Sequence, residues 1–364
     1  MIYVNGRFLL QNLTGVNRFA YEMCRAWSRM GIRFVLCCPP GKIKECYDTS
    51  VFSIVVCGWG KSHVWEQLAL PFWFRRIKGE KILISFTGLG PLLERNKIMT
   101  IHDLAFMANP RWYSRFYVLW YKLMTPLCAK TSKRILTVSK FSQSEIEQRL
   151  GIDKGDISVI YNAVSESFHD GGVKRSVSGA TMVEDRYILA VSSIDPRKNF
   201  LALLKAFEYV EEPTIKLYII GGQDSIYMAS VSSLSKVNSS GRIKWLGRVS
   251  DAELKNYYAH ALCFVYPSLY EGFGIPPLEA MACGTPVIVS AIPSLEEVCG
   301  DAALYVNPYD EKDIAKAINN IVSLKGLRDD LRARGLEHSS QFSWKKSARR
   351  LMMVVDDVVN GHRE

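Results

Sequence analysis

Short apolar segments alternate with helical patterns along the whole chain, and this rhythm limits the possible folds more than any other feature. In the first half the predicted strands are IYVNG, RFVLCC, FSIVVCG, ILISFTG, IMTIHD, RILTVS and ISVIYN. In the second half they are YILAVSS, KLYIIGG, IKWLG, LCFVYPS and PVIVS. Strands that alternate with helices favour parallel sheets covered by helices. The sequence therefore predicts an α/β protein with two doubly wound domains.

A break in the rhythm marks the domain boundary. Residues 166–185 are polar, contain three glycines and have no periodicity, which is typical of an interdomain linker. The predicted domains are 1–168 and 184–342, and a last helix within 343–364 is expected to return to the first domain. Because α/β sheets bind ligands at the carboxyl ends of their strands, a ligand is expected in a cleft between the domains.

The net positive charge is concentrated in the first half of the chain. Residues 1–168 hold 23 of the 46 Lys and Arg residues but only 12 of the 36 Asp and Glu residues. Such asymmetry suggests an anionic partner: a membrane surface, a phosphorylated ligand or nucleic acid. Nucleic acid is the weakest of the three, because the basic residues are dispersed and no recognition motif accompanies them.

Compartment and metal use also follow from the sequence. No signal peptide or membrane span is recognised. The nine cysteines include no CxxC pair, which favours reduced thiols in the cytoplasm. No Cys/His spacing or DxD-type cluster predicts a metal site.

The segment LCFVYPSLYEGFGIPPLEAMACG predicts a strand, a loop and a helix. Gly272 and Gly274 allow close approach of a ligand, and Pro276 or Pro277 suits the first helical position. The N–H groups at that helix start would bind an anion, best a phosphate. Glu279, placed in the first helical turn, could accept hydrogen bonds from a ribose diol, and Glu271 could face a second polar group.

Two other functions are conceivable for these glutamates. A retaining hydrolase needs carboxyls about 5–5.5 Å apart, whereas eight helical steps alone rise about 12 Å. The remaining alternative is a Gly-rich turn with two solvated acids, since strand, loop and helix units of this kind are common.

The segment AVSSIDPRKNF adds a basic pair at the end of the first strand of the second half. Arg197 and Lys198 would face the same ligand and hold a diphosphate. The alternative for this pair is a solvated turn.

Taken together, these motifs resemble the retaining glycosyltransferases of family 4, which have the GT-B fold of two Rossmann-like domains facing across a cleft. Within that family the chain is similar to bacterial mannosyltransferases of O-antigen and capsular polysaccharide assembly. The resemblance runs nearly end to end, through LTGVNRFAYE, IHDLAF, VSKFSQSEI, YNAV, PRKNF, LGRVSDAELKNYYAHA, YPSLYEGFGIPPLEAMACGTPVIVS, EVCGDAALYVNPYD and FSW.

The resemblance implies a donor site and catalytic residues. It implies that Gly15 leaves room for the donor diphosphate, that Arg197 and Lys198 bind it, and that Glu279 binds the ribose. The donor sugar and distal phosphate would face Glu271 and the backbone of Gly272, Phe273, Gly274 and Ile275, and the base would border Arg248 and Val249. His102 would lie near the donor sugar or the acceptor and act in catalysis with Glu271, Arg197 and Lys198; the alternative is a structural histidine at a strand end. Asp103 would either orient His102 or only cap the following segment. Ser139 and Asn162 match motif positions without an assigned role.

Many relatives carry a double glycine and an Arg or His in the first loop, whereas this chain has the single Gly15. No phosphate contact is therefore carried over to Arg18.

The implied reaction is metal-independent transfer with retention, in which the leaving diphosphate takes the acceptor's proton. The expected donor is GDP-mannose and no cofactor is expected. Alternatives are a UDP-sugar donor on the same fold, a hydrolase or epimerase of nucleotide sugars, and a non-catalytic nucleotide-sugar-binding protein.

The acceptor is expected to be a lipid-linked saccharide at the inner face of the cytoplasmic membrane. Residues 63–78 and 111–134 combine aromatic and basic side chains, which suits contact with an anionic membrane. The candidate surface residues are Trp73, Arg75, Arg76, Arg111, Trp112 and Arg115. The alternative is that Trp112, Phe116, Leu119, Trp120 and Leu123 form a core-facing helical stripe.

Overall fold

Two parallel sheets organise the protein. The computed structural model describes residues 1–169, 186–193, 195–222 and 241–361. The chain forms two compact units, Met1–Asn162 with Ser343–Glu364, and Ala163–Phe342. Each unit is built around one parallel β-sheet, so the predicted fold class of two Rossmann-like α/β domains is confirmed.

The first unit contains a seven-stranded sheet in the order β3-β2-β1-β4-β5-β6-β7. Its strands are β1 Ile2–Asn5, β2 Phe34–Cys38, β3 Ile54–Val56, β4 Ile82–Ser85, β5 Lys97–Thr100, β6 Arg134–Thr137 and β7 Ile157–Val159.

The second unit contains a six-stranded sheet in the order β10-β9-β8-β11-β12-β13. Its strands are β8 Tyr187–Val191, β9 Lys216–Ile220, β10 Ile243–Gly247, β11 Cys263–Tyr266, β12 Val287–Ser290 and β13 Ala303–Val306. The last strand was not predicted. It is a short edge strand that pairs with β12 in the register Val287↔Ala303, and four residues alone carry little periodicity.

Helices connect the strands in both units. In chain order the α-helices are α1 Gly15–Arg29, α2 Ser62–Val64, α3 Leu70–Arg76, α4 Ala105–Ala108, α5 Arg115–Lys130, α6 Lys140–Leu150, α7 Glu166–His169, α8 Phe200–Glu208, α9 Asp251–His260, α10 Ile275–Ala282, α11 Pro293–Cys299, α12 Glu311–Ser323, α13 Lys325–Ser339 and α14 Trp344–Asn360. A π-helical segment, Trp65–Ala69, joins α2 to α3.

Each sheet has a topological switch point, where the strand order reverses. In the first sheet the chain moves outward through β2 and β3 and then returns to place β4 beside β1. In the second it moves through β9 and β10 and then places β11 beside β8. Crevices at such points, beyond the carboxyl ends of the strands, are where open α/β sheets bind ligands.

The last helix belongs to the first unit. The indole Nε1 of the buried Trp27, on α1, donates to the carbonyl of Ala348 on α14 at 3.2 Å. The Oγ of Ser347 donates to the carbonyl of Tyr161 at 2.7 Å. These contacts attach α14 to the first sheet's helical layer.

The boundary region differs from the expected linker. Residues 170–185 lie outside the described residues, but 166–169 form helix α7 rather than an irregular segment. Phe168 on this helix is buried, with its ring 6.2 Å from that of Tyr258 in the second unit. Residues 163–168, assigned to the first domain from the sequence, therefore lie in the second unit.

Candidate active site

A short turn places Arg197 and Lys198 at the switch point of the second sheet. The turn, Pro196–Lys198, follows β8, and the carboxylate of Asp195 caps it by accepting from the N–H of Arg197 at 3.1 Å. Asn199 then adopts the left-handed conformation, with φ 57°. Its amide nitrogen donates to the carbonyls of Pro267 and Pro308 at 3.1 and 2.7 Å. The turn is thereby tied to the loop that follows β11.

Lys198 and Glu271 form a buried ion pair. The Nζ of Lys198 lies 2.6 Å from Oε1 of Glu271 and 2.6 Å from the hydroxyl of Tyr266. Burial lowers the pKa of Lys198, although the carboxylate of Glu271 opposes this shift. Burial would raise the pKa of Glu271, but the cations of Lys198 and Arg197 outweigh it and hold that pKa below its usual value. Glu271 is therefore an anion at neutral pH and lies between two cations.

Arg197 is the more accessible cation of the group. Its Nη1 lies 3.9 Å from Oε2 of Glu271 and its Nε lies 3.7 Å from Oδ1 of Asp195. The side chain is partly exposed, unlike that of Lys198. Arg197, Lys198 and Glu271 are thus brought together as the sequence predicts.

The helix after the loop begins one residue earlier than expected. Its first residue is Ile275, and Gly274 caps it with φ 106°. A Cβ at Gly274 would lie 2.5 Å from Cδ2 of Leu295, so the position requires glycine for space as well as conformation. Because Pro276 and Pro277 carry no N–H, the start of this helix offers an anion the N–H groups of Gly274 and Ile275 rather than a full set of four.

Glu279 lies in the second turn of α10, so its placement in the first turn was wrong. The helix starts before the two prolines rather than at one of them, which moves Glu279 to the fifth helical position. The side chain is buried, and its Oε2 accepts from the hydroxyl of Tyr258 at 3.3 Å.

The remaining predicted donor residues lie in the loops after β11 and β10. Gly272 and Phe273 are buried, and the ring of Phe273 lies 6.0 Å from that of Phe342. Arg248 is exposed and Val249 partly buried in the turn after β10. A Cβ added at Gly222, just after β9, would lie 2.9 Å from the Nε of Arg248. The guanidinium of Arg248 therefore packs directly against the backbone of this glycine.

His102 and Gly15 belong to the first unit. The Nε2 of His102 lies 2.9 Å from the carbonyl oxygen of Phe86, which makes Nε2 the donor and leaves the lone pair on Nδ1. Burial lowers the pKa of His102 more than the carbonyl of Phe86 and the carboxylate of Asp103 raise it, so the ring is neutral at pH 7. Gly15 is exposed at the first position of α1.

Two motif residues have structural positions. Ser139 is the N-cap of α6, and its hydroxyl accepts from the N–H of Ser142 at 3.0 Å. Asn162 is buried, and within the described residues its Oδ1 has no hydrogen-bond partner.

Three side chains that position the site residues by hydrogen bonds were not predicted from the sequence. Tyr266 bonds Lys198, Tyr258 bonds Glu279, and Asn199 fixes the basic turn. A tyrosine within an otherwise apolar strand was the available signal for Tyr266, because a buried phenol needs a polar partner.

The aromatic and basic segments of the first unit do not form a core-facing stripe. Phe116, Leu119 and Leu123 are 78%, 70% and 58% exposed, so that alternative is wrong for these three residues. Trp120 is partly buried against the core. Of the predicted surface residues, Trp73 and Trp112 are partly buried, and the exposed ones are Arg75, Arg76, Arg111 and Arg115.

The described residues contain neither a metal-binding cluster nor a membrane-spanning helix. Among the residues that the structure describes, no cluster of three or more His, Cys, Asp or Glu side chains could hold a metal ion. Metal independence stays a prediction. Within the same residues, no helix combines the length and apolarity that crossing a bilayer requires.

Comparison with known proteins identifies the class. The structure matches a sucrose-phosphate synthase from Thermosynechococcus elongatus with a TM-score of 0.77 and 18% identity, over 99% of both chains. Together with the two Rossmann-like sheets, this likeness gives the chain the GT-B fold of glycosyltransferases.

The family follows from the sequence. The profile named Glycosyltransferase Family 4 matches residues 13–168, and that named Glycosyl transferases group 1 matches 177–338. The O-antigen chain mannosyltransferase RfbU of Salmonella typhimurium is 36% identical over 68% of this chain and 66% of its own length. The O-antigen chain mannosyltransferase B of Escherichia coli is 34% identical over 70% of this chain and 68% of its own length. The chain belongs to glycosyltransferase family 4, as its motifs predict.

Proposed function

We propose that the protein is a retaining mannosyltransferase that moves mannose from GDP-mannose onto a lipid-linked saccharide in the synthesis of O-antigen or another cell-surface polysaccharide. The observation that carries the proposal is the Lys198–Glu271 pair beside Arg197, at the switch point where a nucleotide is expected. Both relatives named above are O-antigen chain mannosyltransferases, which supports mannose as the sugar.

In the proposed reaction the bond between the anomeric carbon and the diphosphate oxygen breaks. The acceptor hydroxyl oxygen bonds to the same face of that carbon, and its proton passes to the departing phosphate. Negative charge grows on the diphosphate as it leaves, and preorganised cations stabilise such charge strongly. Arg197 and Lys198 have this role.

The hydrogen bonds of Lys198 suit the role. An ammonium group has three N–H donors, and two of them are directed at Glu271 and Tyr266. One donor remains for a phosphate oxygen. Glu271 holds this ammonium in place and faces the donor sugar, while the N–H of Ile275 supplies a further contact to the distal phosphate.

The other residues bind the ends of the donor and the acceptor. Glu279 accepts from the ribose diol, and Arg248 and Val249 border the base. The neutral ring of His102 keeps a lone pair on Nδ1, which accepts a hydrogen bond from a sugar hydroxyl.

Isothermal titration calorimetry with GDP, UDP, GDP-mannose and UDP-glucose, in the presence of EDTA, tests the donor. We expect the guanine nucleotides to bind more tightly than the uracil nucleotides. Arg197→Ala should weaken GDP binding and abolish transfer. Tighter binding of UDP than of GDP would show that the donor is a UDP-sugar and not GDP-mannose. Binding that appears only after metal is restored would refute metal independence. If none of the four nucleotides bound, the proposed donor site would be refuted.

The acceptor surface is proposed to lie on an anionic membrane. Four apolar side chains of α5 share one exposed face at helical spacing, and we name them the α5 stripe: Phe116, Leu119, Leu123 and Leu127. Val64, Leu68 and Phe72 are exposed at four-residue intervals on the neighbouring helical segment. The two segments touch, because the ring of His63 lies 5.9 Å from that of Trp120.

Basic side chains accompany this apolar surface. Arg75, Arg76, Arg115, Lys122 and Lys130 are exposed on the same helices. Apolar residues that enter the interface, together with cations that meet anionic headgroups, are the pattern of a peripheral membrane protein. This arrangement would place a lipid-linked acceptor beside the first unit.

Sedimentation with vesicles tests the membrane contact. We expect the protein to bind phosphatidylglycerol-containing vesicles more tightly than pure phosphatidylcholine vesicles. The double variant Phe116→Ser, Leu119→Ser should lose at least about tenfold in affinity, since each buried side chain contributes about 1.5–3 kcal/mol. Met353→Ser, at a comparably exposed residue of α14, is the matched control. Equal binding by both variants would contradict the proposal.

A further inference from the structure

The first unit carries a cavity at the outer edge of its sheet, three strands away from the switch point, and we name it the β7 cavity. It has a volume of about 480 Å³ and lies beside β7, the edge strand that pairs with β6. Its walls come from one face of α6, from the turn before β7, from β7 itself and from α14. The proposed donor and catalytic residues lie elsewhere, so the cavity belongs to neither site described above.

Three cations line the β7 cavity. Lys140 is the first residue of α6, Lys154 lies in the turn before β7, and Arg350 extends from α14. Among the described residues of the lining, Glu147 supplies the one carboxylate. Separate parts of the chain thus place like charges around one space, and a bound anion would stabilise that arrangement.

The two acids of the turn before β7 do not belong to the described lining. The Oδ1 of Asp153 accepts from the N–H of Gly155 at 2.8 Å, so this carboxylate serves the backbone of the turn. Asp156 ends the turn. The lining of the cavity therefore keeps a net positive charge.

A buried cation lies directly behind the wall. Arg134, the first residue of β6, is 4% exposed, and its Nη1 donates to the carbonyl of Gly155, which lines the cavity. Within the part of the chain that the structure describes, the Nε of Arg134 is buried without a hydrogen-bond partner. A buried charge is costly unless it is paired, and an anion in the β7 cavity would lower that cost across the backbone of Gly155.

The neutral lining groups favour a small phosphate ester over a peptide strand. The Nε2 of Gln143 donates to the carbonyl of Ile157 at 2.7 Å, which occupies an acceptor of the edge strand that an added strand would need. Ser144 and Ser158 add hydroxyl groups to the lining. Arg and Lys bind phosphate oxygens by charge-assisted hydrogen bonds, and a space of this volume is in the range of small-molecule sites.

We propose that the β7 cavity binds the phosphate group of a polyol phosphate ester, held by Lys140, Lys154 and Arg350. The ester is either a soluble molecule or the headgroup of a phospholipid, since both present the same phosphate and hydroxyl groups. The site is separate from the donor site and does not depend on the proposed transfer reaction.

The position of α6 is compatible with both sources of the ester. Ile146 and Leu150 of α6 share a core cluster with Met124 and Cys128 of α5, so the two helices lie side by side on the sheet. The cavity therefore lies in the layer that also carries the α5 stripe.

Titration of the full chain with glycerol 3-phosphate, followed by phosphorus NMR, tests the site. GDP is present in excess, so that the ester does not enter the donor site. We expect a midpoint of about 1–10 mM, typical of a few exposed charge-assisted contacts. Glycerol at the same concentrations should not displace the ester, and equal binding of glycerol would refute a site for phosphate.

Two double variants remove the same charge from different places. Lys154→Gln with Arg350→Gln removes two lining cations and should raise the midpoint at least about tenfold, as expected for two charge-assisted hydrogen bonds. Lys133→Gln with Arg349→Gln removes two exposed cations outside the cavity and should leave the midpoint within about twofold, since salt screens them. Equal midpoints in the two double variants would overturn the proposal. If the first variant does not fold, Lys154→Gln alone, at an exposed residue, repeats the comparison.

Sedimentation with phosphatidylglycerol vesicles separates the two sources of the ester. Vesicle binding that is equal in both double variants, together with the effect on glycerol 3-phosphate, supports a soluble ligand. Vesicle binding that falls at least about tenfold only in Lys154→Gln with Arg350→Gln supports a lipid headgroup. Absence of ester binding together with equal vesicle binding in the two variants would refute the site. Because the comparison is between variants, it holds whether or not GDP binds.

Discussion

Replacing Glu271 by glutamine tests the central electrostatic argument. The substitution keeps the shape of the side chain and a carbonyl oxygen for Lys198, but it removes the anion that lies 2.6 Å from Lys198 and 3.9 Å from Arg197. Two cations then remain beside each other, one of them buried. Removing one partner of a buried ion pair costs about 3–5 kcal/mol, and we expect about 3 kcal/mol because the amide oxygen still accepts a hydrogen bond.

Thermal unfolding with and without GDP measures this cost. For a unit of this size each kcal/mol shifts the melting temperature by about 2–4 °C, so Glu271→Gln should melt about 6–12 °C below the wild type. GDP should recover much of that loss, because its phosphates replace the missing anion and binding to the folded state raises stability. GDP should therefore raise the melting temperature of the variant more than that of the wild type, while mannosyl transfer stays abolished.

Glu208→Gln provides the control, since Glu208 is exposed on α8 in the same unit. Its melting temperature should stay within about 1 °C of the wild type, as expected for a surface substitution. An equally small change in Glu271→Gln would refute the counter-ion argument. A smaller GDP effect in Glu271→Gln than in the wild type would refute the idea that Lys198 and Arg197 face the diphosphate.

Three further predictions concern the framework around the two sheets. Burial lowers the pKa of Lys97 to about 8; between that pH and its ordinary pKa the unfolded chain holds more protons, so stability should rise with pH by up to about 1.4 kcal/mol per unit. Lys97→Met should remove this slope from urea unfolding curves at pH 7.5–9.5, and an unchanged slope would contradict it. Gly274→Ala forces a side chain onto Leu295 at φ 106°, which should cost about 1–3 kcal/mol; a combined Leu295→Ala change should recover part of that cost, and strict additivity in the double-mutant cycle would contradict the clash. Trp27→Phe loses the hydrogen bond to Ala348, worth about 1 kcal/mol, and hydrogen exchange over 344–360 should become faster, whereas unchanged exchange would show that the bond does not hold α14.

The elements were predictable because they depend on neighbouring residues. Twelve strands follow from short apolar runs, and α1 follows from Phe19, Met23 and Trp27 at helical spacing with Gly31 after its end. The edge strand β13 was missed because its pairing with β12 defines it more than its own pattern does.

The candidate site was predictable only in part. Arg197, Lys198 and Glu271 follow from motif and strand position, and the structure brings them together. The tyrosine in an apolar strand signals that Tyr266 needs a polar partner, but the sequence does not identify that partner as Lys198, which lies 68 positions away. Glu279 lies in the second turn because its helix begins at Ile275, one residue before Pro276. A sequence pattern predicts that a helix exists more accurately than it predicts the residue at which the helix begins.

The sequence by itself determined most of the elements, the α/β class and the family, since periodicity and short motifs are properties of adjacent residues. The tertiary structure alone decided which charges meet and which apolar faces stay exposed. Glu271 pairs with Lys198 because β11 lies beside β8, and Arg7 lies against Gly88 because β4 lies next to β1. Sheet order brings together groups far apart in the chain, and no local pattern encodes that order.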